Sequence, residues 1–107
     1  MVKTLKSLYT RDQWYKWLSK KKYDPHTSHV TITRDPRSVI SNFVQLHTLF
    51  NLNVLLVVGF NWSKNMLCYQ VREMNRLYAD KGLHIQSAVV STSSTIEHCL
   101  IVQKIAN

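Results

Sequence analysis

Residues 28–39, SHVTITRDPRSV, contain a change from one hydrophobic period to another. In the first half, polar and apolar residues alternate, which is typical of a β-strand with one buried face. Asp35 and Pro36 then have the pattern of a helix start, because Asp can cap the first free amides and Pro is preorganised for the first helical position. The stretch therefore predicts a strand that passes directly into a helix, with Arg34 and Arg37 on either side of the cap.

The same two periods continue along the rest of the chain. Apolar residues at helical spacing run from Val39 to Phe50, and residues 53–59, NVLLVVG, form a continuous apolar run, as in a strand covered on both faces. Ser63 begins a third helical stripe that includes Met66, and Gly82 is placed to end it in a left-handed cap. Two final strands are predicted at residues 84–91 and 95–105.

Another helix is predicted at about residues 10–22, before the first strand. Thr10 and Gln13 have the capping-box spacing, and Trp14 and Trp17 follow at helical intervals. The tryptophans have two interpretations: they dock this helix on the rest of the protein, or their exposed rings stack on unpaired bases. We favour docking for the tryptophans and polyanion contact for the lysines around them.

After this helix the element order is β-α-β-α-β-β, which predicts an α/β two-layer sandwich with a four-stranded mixed sheet. Right-handed crossovers make the first three strands parallel, the final hairpin adds an antiparallel strand, and both crossover helices lie on one face. We expect residues 1–27 to form a basic, aromatic-rich helical extension and residues 28–107 to form the α/β domain.

The net charge of +8 is unevenly distributed. Residues 1–37 hold nine Lys or Arg against three acids, a net charge of +6, whereas residues 38–107 carry +2. The positive electrostatic field of such a charge excess attracts polyanions. Nucleic acid is the first expectation, and acidic proteins or membrane surfaces are the second. A protein that is merely basic is the plain alternative.

The residues that usually carry catalysis do not form a recognisable pattern. His29 and Thr31 match one half of a paired His-x-Thr phosphoesterase signature, but His98 is followed by Cys99, so the second copy is missing. The five histidines have no second ligand pair at metal spacing, six acids are available, and there is no Gly-rich phosphate loop. We therefore expect no catalytic residue, no metal and no cofactor.

The cysteines and the apolar runs bear on the compartment. Cys68 and Cys99 lack the spacing of zinc or redox motifs and have apolar neighbours, so we interpret both as reduced core thiols of an intracellular protein. The chain start has no apolar secretion signal, and the run from Val54 to Phe60 is too short to span a bilayer. We expect a cytoplasmic protein, or a nuclear one if the source is eukaryotic, with no membrane contact.

Three junction motifs, in this order, resemble those of the Alba family of small basic nucleic-acid-binding proteins. They are Thr33-Arg34-Asp35-Pro36 before the second helix, Gly59-Phe60-Asn61-Trp62-Ser63-Lys64 before the third, and STIEHCLIVQK at the last strand. The match covers about residues 28–105. Asp35 replaces a second basic residue of the family, Phe60 stands where an arginine is frequent, and STSST is shorter than the usual basic hairpin arm. The C-terminal domain of the third bacterial translation initiation factor and Alba-like subunits of ribonuclease P share the element order.

The resemblance implies a non-catalytic protein that contacts the phosphate backbone of RNA or DNA with low sequence specificity, as a chromatin or ribonucleoprotein component. It also implies a homodimer or heterodimer, and no small-molecule substrate. The alternative is a protein-interaction subunit or inhibitor that docks an acidic partner through its basic face.

The predicted nucleic-acid contacts are basic side chains at the junctions and in the first helix: Arg34, Arg37, Lys64, Arg11, Lys16, Lys20, Lys21 and Lys22. At the first junction two readings stay open. Arg34 and Arg37 flank a helix start whose amides and positive dipole end suit a phosphate. In the other reading, Asp35 simply caps the helix between two solvated arginines.

Overall fold

The computed structural model describes residues 7–59, 62–91 and 95–105. Phe60, Asn61 and most of the STSST turn lie outside these residues. The helices and strands follow the predicted order: α1 (Arg11–Lys20), β1 (Ser28–Thr33), α2 (Pro36–Leu46), β2 (Val54–Gly59), α3 (Lys64–Tyr78), β3 (Leu83–Ser91) and β4 (Ile96–Lys104). Short 3-10 turns span Pro25–Thr27 and Ala79–Lys81.

The four strands form one mixed sheet with the order β1-β2-β4-β3. β1 is parallel to β2, from the Ser28–Val54 pair to the Thr33–Gly59 pair, and β4 is antiparallel to both β2 and β3. The predicted mixed sheet and the parallel pairing of the first two strands are confirmed.

The central strand β2 is buried on both faces, as its continuous apolar run predicts. Leu55 and Val57 belong to a core formed with α2 and α3, whereas Val54, Leu56 and Val58 belong to a core formed with α1. Both crossover helices therefore lie on one face of the sheet, as expected, and α1 adds a cover on the opposite face.

Both edge strands are capped by side chains from a helix. On β1, Arg11 Nη2 donates to the Val30 carbonyl at 2.9 Å, and the Val30 amide donates to the Tyr15 hydroxyl at 3.3 Å. On β3, the Asn75 carboxamide donates to the Ile85 carbonyl at 2.8 Å and accepts from the Ile85 amide at 3.3 Å. These side chains occupy backbone groups that would otherwise be open to another strand.

The end of α2 differs from the prediction. The helical stripe was expected to reach Phe50, but the α-helix ends at Leu46. Asn51 adopts a left-handed conformation with φ 54, and the Leu52 amide donates to the His47 carbonyl at 2.7 Å. This is the hydrogen-bond pattern of a Schellman motif, which turns the chain toward β2 and leaves Phe50 61% exposed.

Two predictions about α3 and the cysteines are also wrong. Met66 was expected on the apolar stripe, but Leu67 and Met74 are the buried residues of α3 and Met66 lies on the exposed side of the helix. Cys68 is likewise exposed, because a step of one residue along a helix turns the side chain by about 100° from the buried position of Leu67. Cys99 is the core thiol, and burial, followed by the nearby Glu97 carboxylate, raises its pKa to about 12.

Candidate nucleic-acid interface

The carboxyl ends of β1 and β2 meet at one edge of the sheet because the two strands are parallel, and α2 and α3 both begin there. Each helix start is capped as its sequence predicts. The Arg37 amide donates to Asp35 Oδ1 at 3.1 Å, and the Met66 amide donates to Ser63 Oγ at 3.1 Å. Two helix N-termini, with their positive dipole ends, therefore lie at this edge.

Trp62 connects the two junctions. Its indole Nε1 donates to the Arg34 carbonyl at 3.0 Å, and its ring is buried in the core between the sheet and the two crossover helices. The ring lies so close to Gly59 that a Cβ there would be 1.9 Å from the nearest ring atom. In the Gly-x-x-x-Ser-Lys motif, glycine thus makes room for Trp62, serine caps α3, and Lys64 becomes the first helical residue.

Arg37 is exposed and lies near the second half of α3. Its carbonyl accepts from the Tyr78 hydroxyl at 3.3 Å. The pKa of Glu73 is below its usual value, chiefly because Arg76 donates hydrogen bonds to the carboxylate, with a smaller electrostatic contribution from Arg37. We call Arg34, Arg37 and Lys64, which are all exposed, the junction surface.

Asp35 lies within the junction surface and is engaged in the cap. Besides accepting from the Arg37 amide, it is fixed through its own amide, which donates to Thr33 Oγ1 at 3.1 Å. The capping role predicted for Asp35 is confirmed. Because its carboxylate occupies the amide end of α2, an anion near this helix would meet side-chain cations before backbone amides.

The basic residues of α1 and of the turn that follows it form a separate surface. Arg11 is partly engaged, since its guanidinium donates to the β1 edge, whereas the side chains of Lys16 and of the Lys20–Lys22 run are exposed. Ser28 Oγ donates to the Asp24 carbonyl at 2.6 Å, so the lysine run lies near the start of β1 and Arg34 follows its end. At a rise of about 3.3 Å per residue, the six residues of β1 separate these positions by roughly 20 Å.

The outer face of α1 carries a small cleft that the sequence analysis missed. Its volume is about 230 Å³, and it is lined by Tyr9, Gln13, Lys16, Trp17 and Lys20. The spacing of the four helical members, i, i+3, i+4 and i+7, is a signal that could have identified them as one stripe. Trp14, in contrast, is fully buried, as the docking interpretation expects.

A larger apolar groove lies between β1 and α2. It has a volume of about 500 Å³, and His29, Thr31 and Asn42 supply its polar side chains. The remaining lining residues are apolar: Val39, Phe43, Leu46, Phe50, Leu52 and Leu55. Leu49, which precedes Phe50 in sequence, is also largely exposed. Sequence periodicity did not reveal this groove because its outer wall depends on the turn that follows α2.

The pKa of His29, at the polar side of this groove, is lowered by partial burial and then by the positive charge of Arg11. In the described ranges, no group of three or more His, Cys, Asp or Glu side chains is arranged to hold a metal ion. Within the same ranges, no helix has the length and apolar character needed to cross a membrane.

Comparisons of the chain with protein-family models, with curated proteins and with solved structures give no match.

Proposed function

We propose that this protein is a non-catalytic nucleic-acid-binding module that contacts the phosphate backbone of RNA or DNA through the junction surface. The observation that carries this proposal is the Trp62–Arg34 hydrogen bond, which joins two capped helix starts at one sheet edge. This bond joins the segments that carry Arg34 and Lys64, and Arg37 lies in the first turn of α2; all three are exposed, in a protein with a net charge of +8. Exposed cations bind phosphates and release counterions, whatever the base sequence.

The resemblance of the junction motifs to the Alba family supports the same function. The strand order and the two crossover helices on one sheet face are compatible with an Alba-like domain. On this proposal the protein acts as a homodimer or heterodimer in chromatin or in a ribonucleoprotein.

Side-chain cations, rather than the amides of α2, would hold the phosphates. Asp35 Oδ1 already accepts from the Arg37 amide, and its negative charge repels a phosphate placed directly on the helix axis. A backbone that passes beside the cap can still meet the guanidinium groups. Few candidate base-reading groups accompany these cations, so low sequence specificity is expected.

A salt series tests the proposal with RNA and DNA duplexes. We expect log Kd to depend steeply on log salt for the wild type, and the triple variant R34A/R37A/K64A to lower that slope by about two to three units without unfolding the domain. The control variant K20A/K21A/K22A removes the same number of charges from the other end of β1. Loss of duplex binding in the control, with affinity and slope unchanged in the junction triple, would place the site elsewhere.

A protein partner is the second candidate, because exposed apolar side chains accompany the groove between β1 and α2. Leu46 and Phe50 line the groove and are both exposed, and an apolar patch of this kind commonly marks an interaction site. An acidic partner would dock through the basic face and use this groove as an apolar anchor. Wild-type protein that binds neither duplex above the level of an unrelated basic protein would favour this candidate.

A further inference from the structure

The two tryptophans of α1 differ in burial. Trp14 is fully buried, and its Nε1 donates to Ser7 Oγ at 2.6 Å. Trp17 meets Trp14 edge to face, with ring centroids 5.4 Å apart and an interplanar angle of 82°, and is only partly buried. Trp14 and Leu18 are therefore fully buried in the contact between α1 and the sheet, while part of the Trp17 ring stays exposed to solvent.

The open part of Trp17 lies in the cleft on the outer face of α1. Tyr9 and Gln13 line this cleft with Lys16 and Lys20, and its volume of about 230 Å³ is below the range of about 300–1,000 Å³ usual for drug-sized ligands. A volume of this size has room for one planar ring system beside the indole.

The surroundings of the cleft are cationic. Lys16, Lys20 and Lys21 are exposed, and Lys21 Nζ lies over the Trp17 ring, 5.5 Å from its centroid. A base that stacks on this face would displace the exposed Lys21 side chain. Asp12, in the first turn, is the one acidic residue of α1. An aromatic face with cations on the same helix stripe matches the chemistry of a nucleotide, which combines a flat base with a phosphate.

We infer that this cleft binds one unpaired nucleotide of a single strand, with the base stacked on Trp17 and the neighbouring phosphates on Lys16 and Lys20. In a duplex the base faces are already stacked, so the cleft discriminates single strands from duplexes. A membrane surface fits less well, because the apolar residues Trp14 and Leu18 are buried against the sheet and leave no apolar helix face to insert. Gln13 is held at the cleft, since its Oε1 accepts from the Thr10 amide at 2.9 Å.

The test compares binding of an oligo(dT) single strand and of a DNA duplex of the same length. We expect Trp17→Leu to weaken single-strand binding by about 5- to 150-fold, because one base–aromatic stack is lost, and to leave duplex binding within about two-fold. Trp17→Phe keeps a ring and should restore most of the single-strand affinity. The matched control is Tyr69→Leu, which removes an exposed ring from α3 on the other sheet face and should change neither affinity.

Fluorescence gives a readout that a general loss of stability would not reproduce. Trp14 is fully buried and Trp62 is 7% exposed, so quenching by an added base should report Trp17. We expect oligo(dT) to quench the wild type and to leave the emission of Trp17→Phe almost unchanged, although that variant still binds.

Because this inference rests on the proposed function, the outcomes must separate the two. If Trp17→Leu binds oligo(dT) like the wild type while R34A/R37A/K64A weakens duplex binding, the inference is wrong and the proposed function stands. Equal losses for single strand and duplex in Trp17→Leu would also overturn the cleft as a single-strand site. Wild-type protein that binds neither probe would overturn both.

Discussion

The indole N–H of Trp62 donates to the carbonyl oxygen of Arg34 at 3.0 Å, across 28 residues of sequence. This bond connects a backbone group of the β1–α2 junction to a side chain of the β2–α3 junction. The position of Arg34 therefore depends on the packing of Trp62, which in turn depends on the absence of a side chain at Gly59.

Gly59→Ala should destabilise the domain and disturb the junction surface. A Cβ at this position would lie 1.9 to 2.6 Å from three atoms of the Trp62 ring, so the ring must move. We expect a loss of about 1–3 kcal/mol in the free energy of unfolding, measured by urea denaturation. The double variant Gly59→Ala/Trp62→Leu, which removes the clashing ring, should cost less than the sum of the two single changes. Additive costs would contradict the proposed clash.

Asn75→Ala should weaken β3 more than an ordinary helix substitution. The carboxamide of Asn75 donates to the Ile85 carbonyl and accepts from the Ile85 amide, in a partly buried position. Because the substitution leaves both backbone groups without this partner, we expect a cost of about 1–3 kcal/mol and faster amide hydrogen exchange at Ile85. Asn42→Ala, at an exposed position of α2, is the control. Unchanged exchange at Ile85 would contradict the edge-capping role.

His29 should make stability fall in mild acid. Its folded-state pKa is lowered from 6.5 by burial and by Arg11, so the unfolded chain binds the proton more readily. The stabilising contribution is therefore present above the unfolded pKa and is lost as pH falls through the folded pKa. Urea denaturation at pH 7.5 and 5.5 should show a smaller decrease for His29→Gln than for the wild type. An equal or larger decrease in the variant would contradict the direction of the shift.

The two thiols should react at very different rates. Cys68 is exposed on α3, whereas Cys99 is fully buried and its pKa is raised to about 12. A thiol reagent should modify one cysteine of the native wild type and none of native Cys68→Ser, because the reactive thiolate is scarce and inaccessible at Cys99. Both cysteines should react in urea. Rapid labelling of native Cys68→Ser would show that the core around Cys99 opens more often than its packing suggests.

Local signals in the sequence predicted the helix starts and the sheet. Asp35 and Ser63 are caps that depend on their own neighbours, and the apolar run of β2 directly reflects burial on both faces. The exposure of Cys68 follows from the helical period that buries Leu67 and Met74, although its apolar neighbours favoured a core position. The exposure of Phe50 was not predictable in the same way, because it depends on the left-handed residue Asn51, which the hydrophobic period does not encode.

The candidate site was predicted less completely than the fold. The cations of the junction surface and those of the first helix were both identified from charge and from the junction motifs. The sequence alone does not give the distance between the two groups. The return of the chain from Asp24 to Ser28 places the Lys20–Lys22 run and Arg34 at opposite ends of β1. The sequence also does not show that Trp14 is buried while Trp17 stays partly exposed. Both tryptophans occur at helical spacing, and only the packing of α1 distinguishes them.

The position of α1 has a consequence for truncated forms of the chain. Trp14 and Leu18 cover one face of the sheet, while Arg11 and Tyr15 close the backbone edge of β1 at Val30. A fragment that begins at residue 28 would uncover an apolar face and an open strand edge at the same time, the two features that make sheets aggregate. Limited proteolysis between α1 and β1 should thus yield a product that precipitates. On this view α1 keeps the whole sheet in solution by covering its apolar face and its open edge.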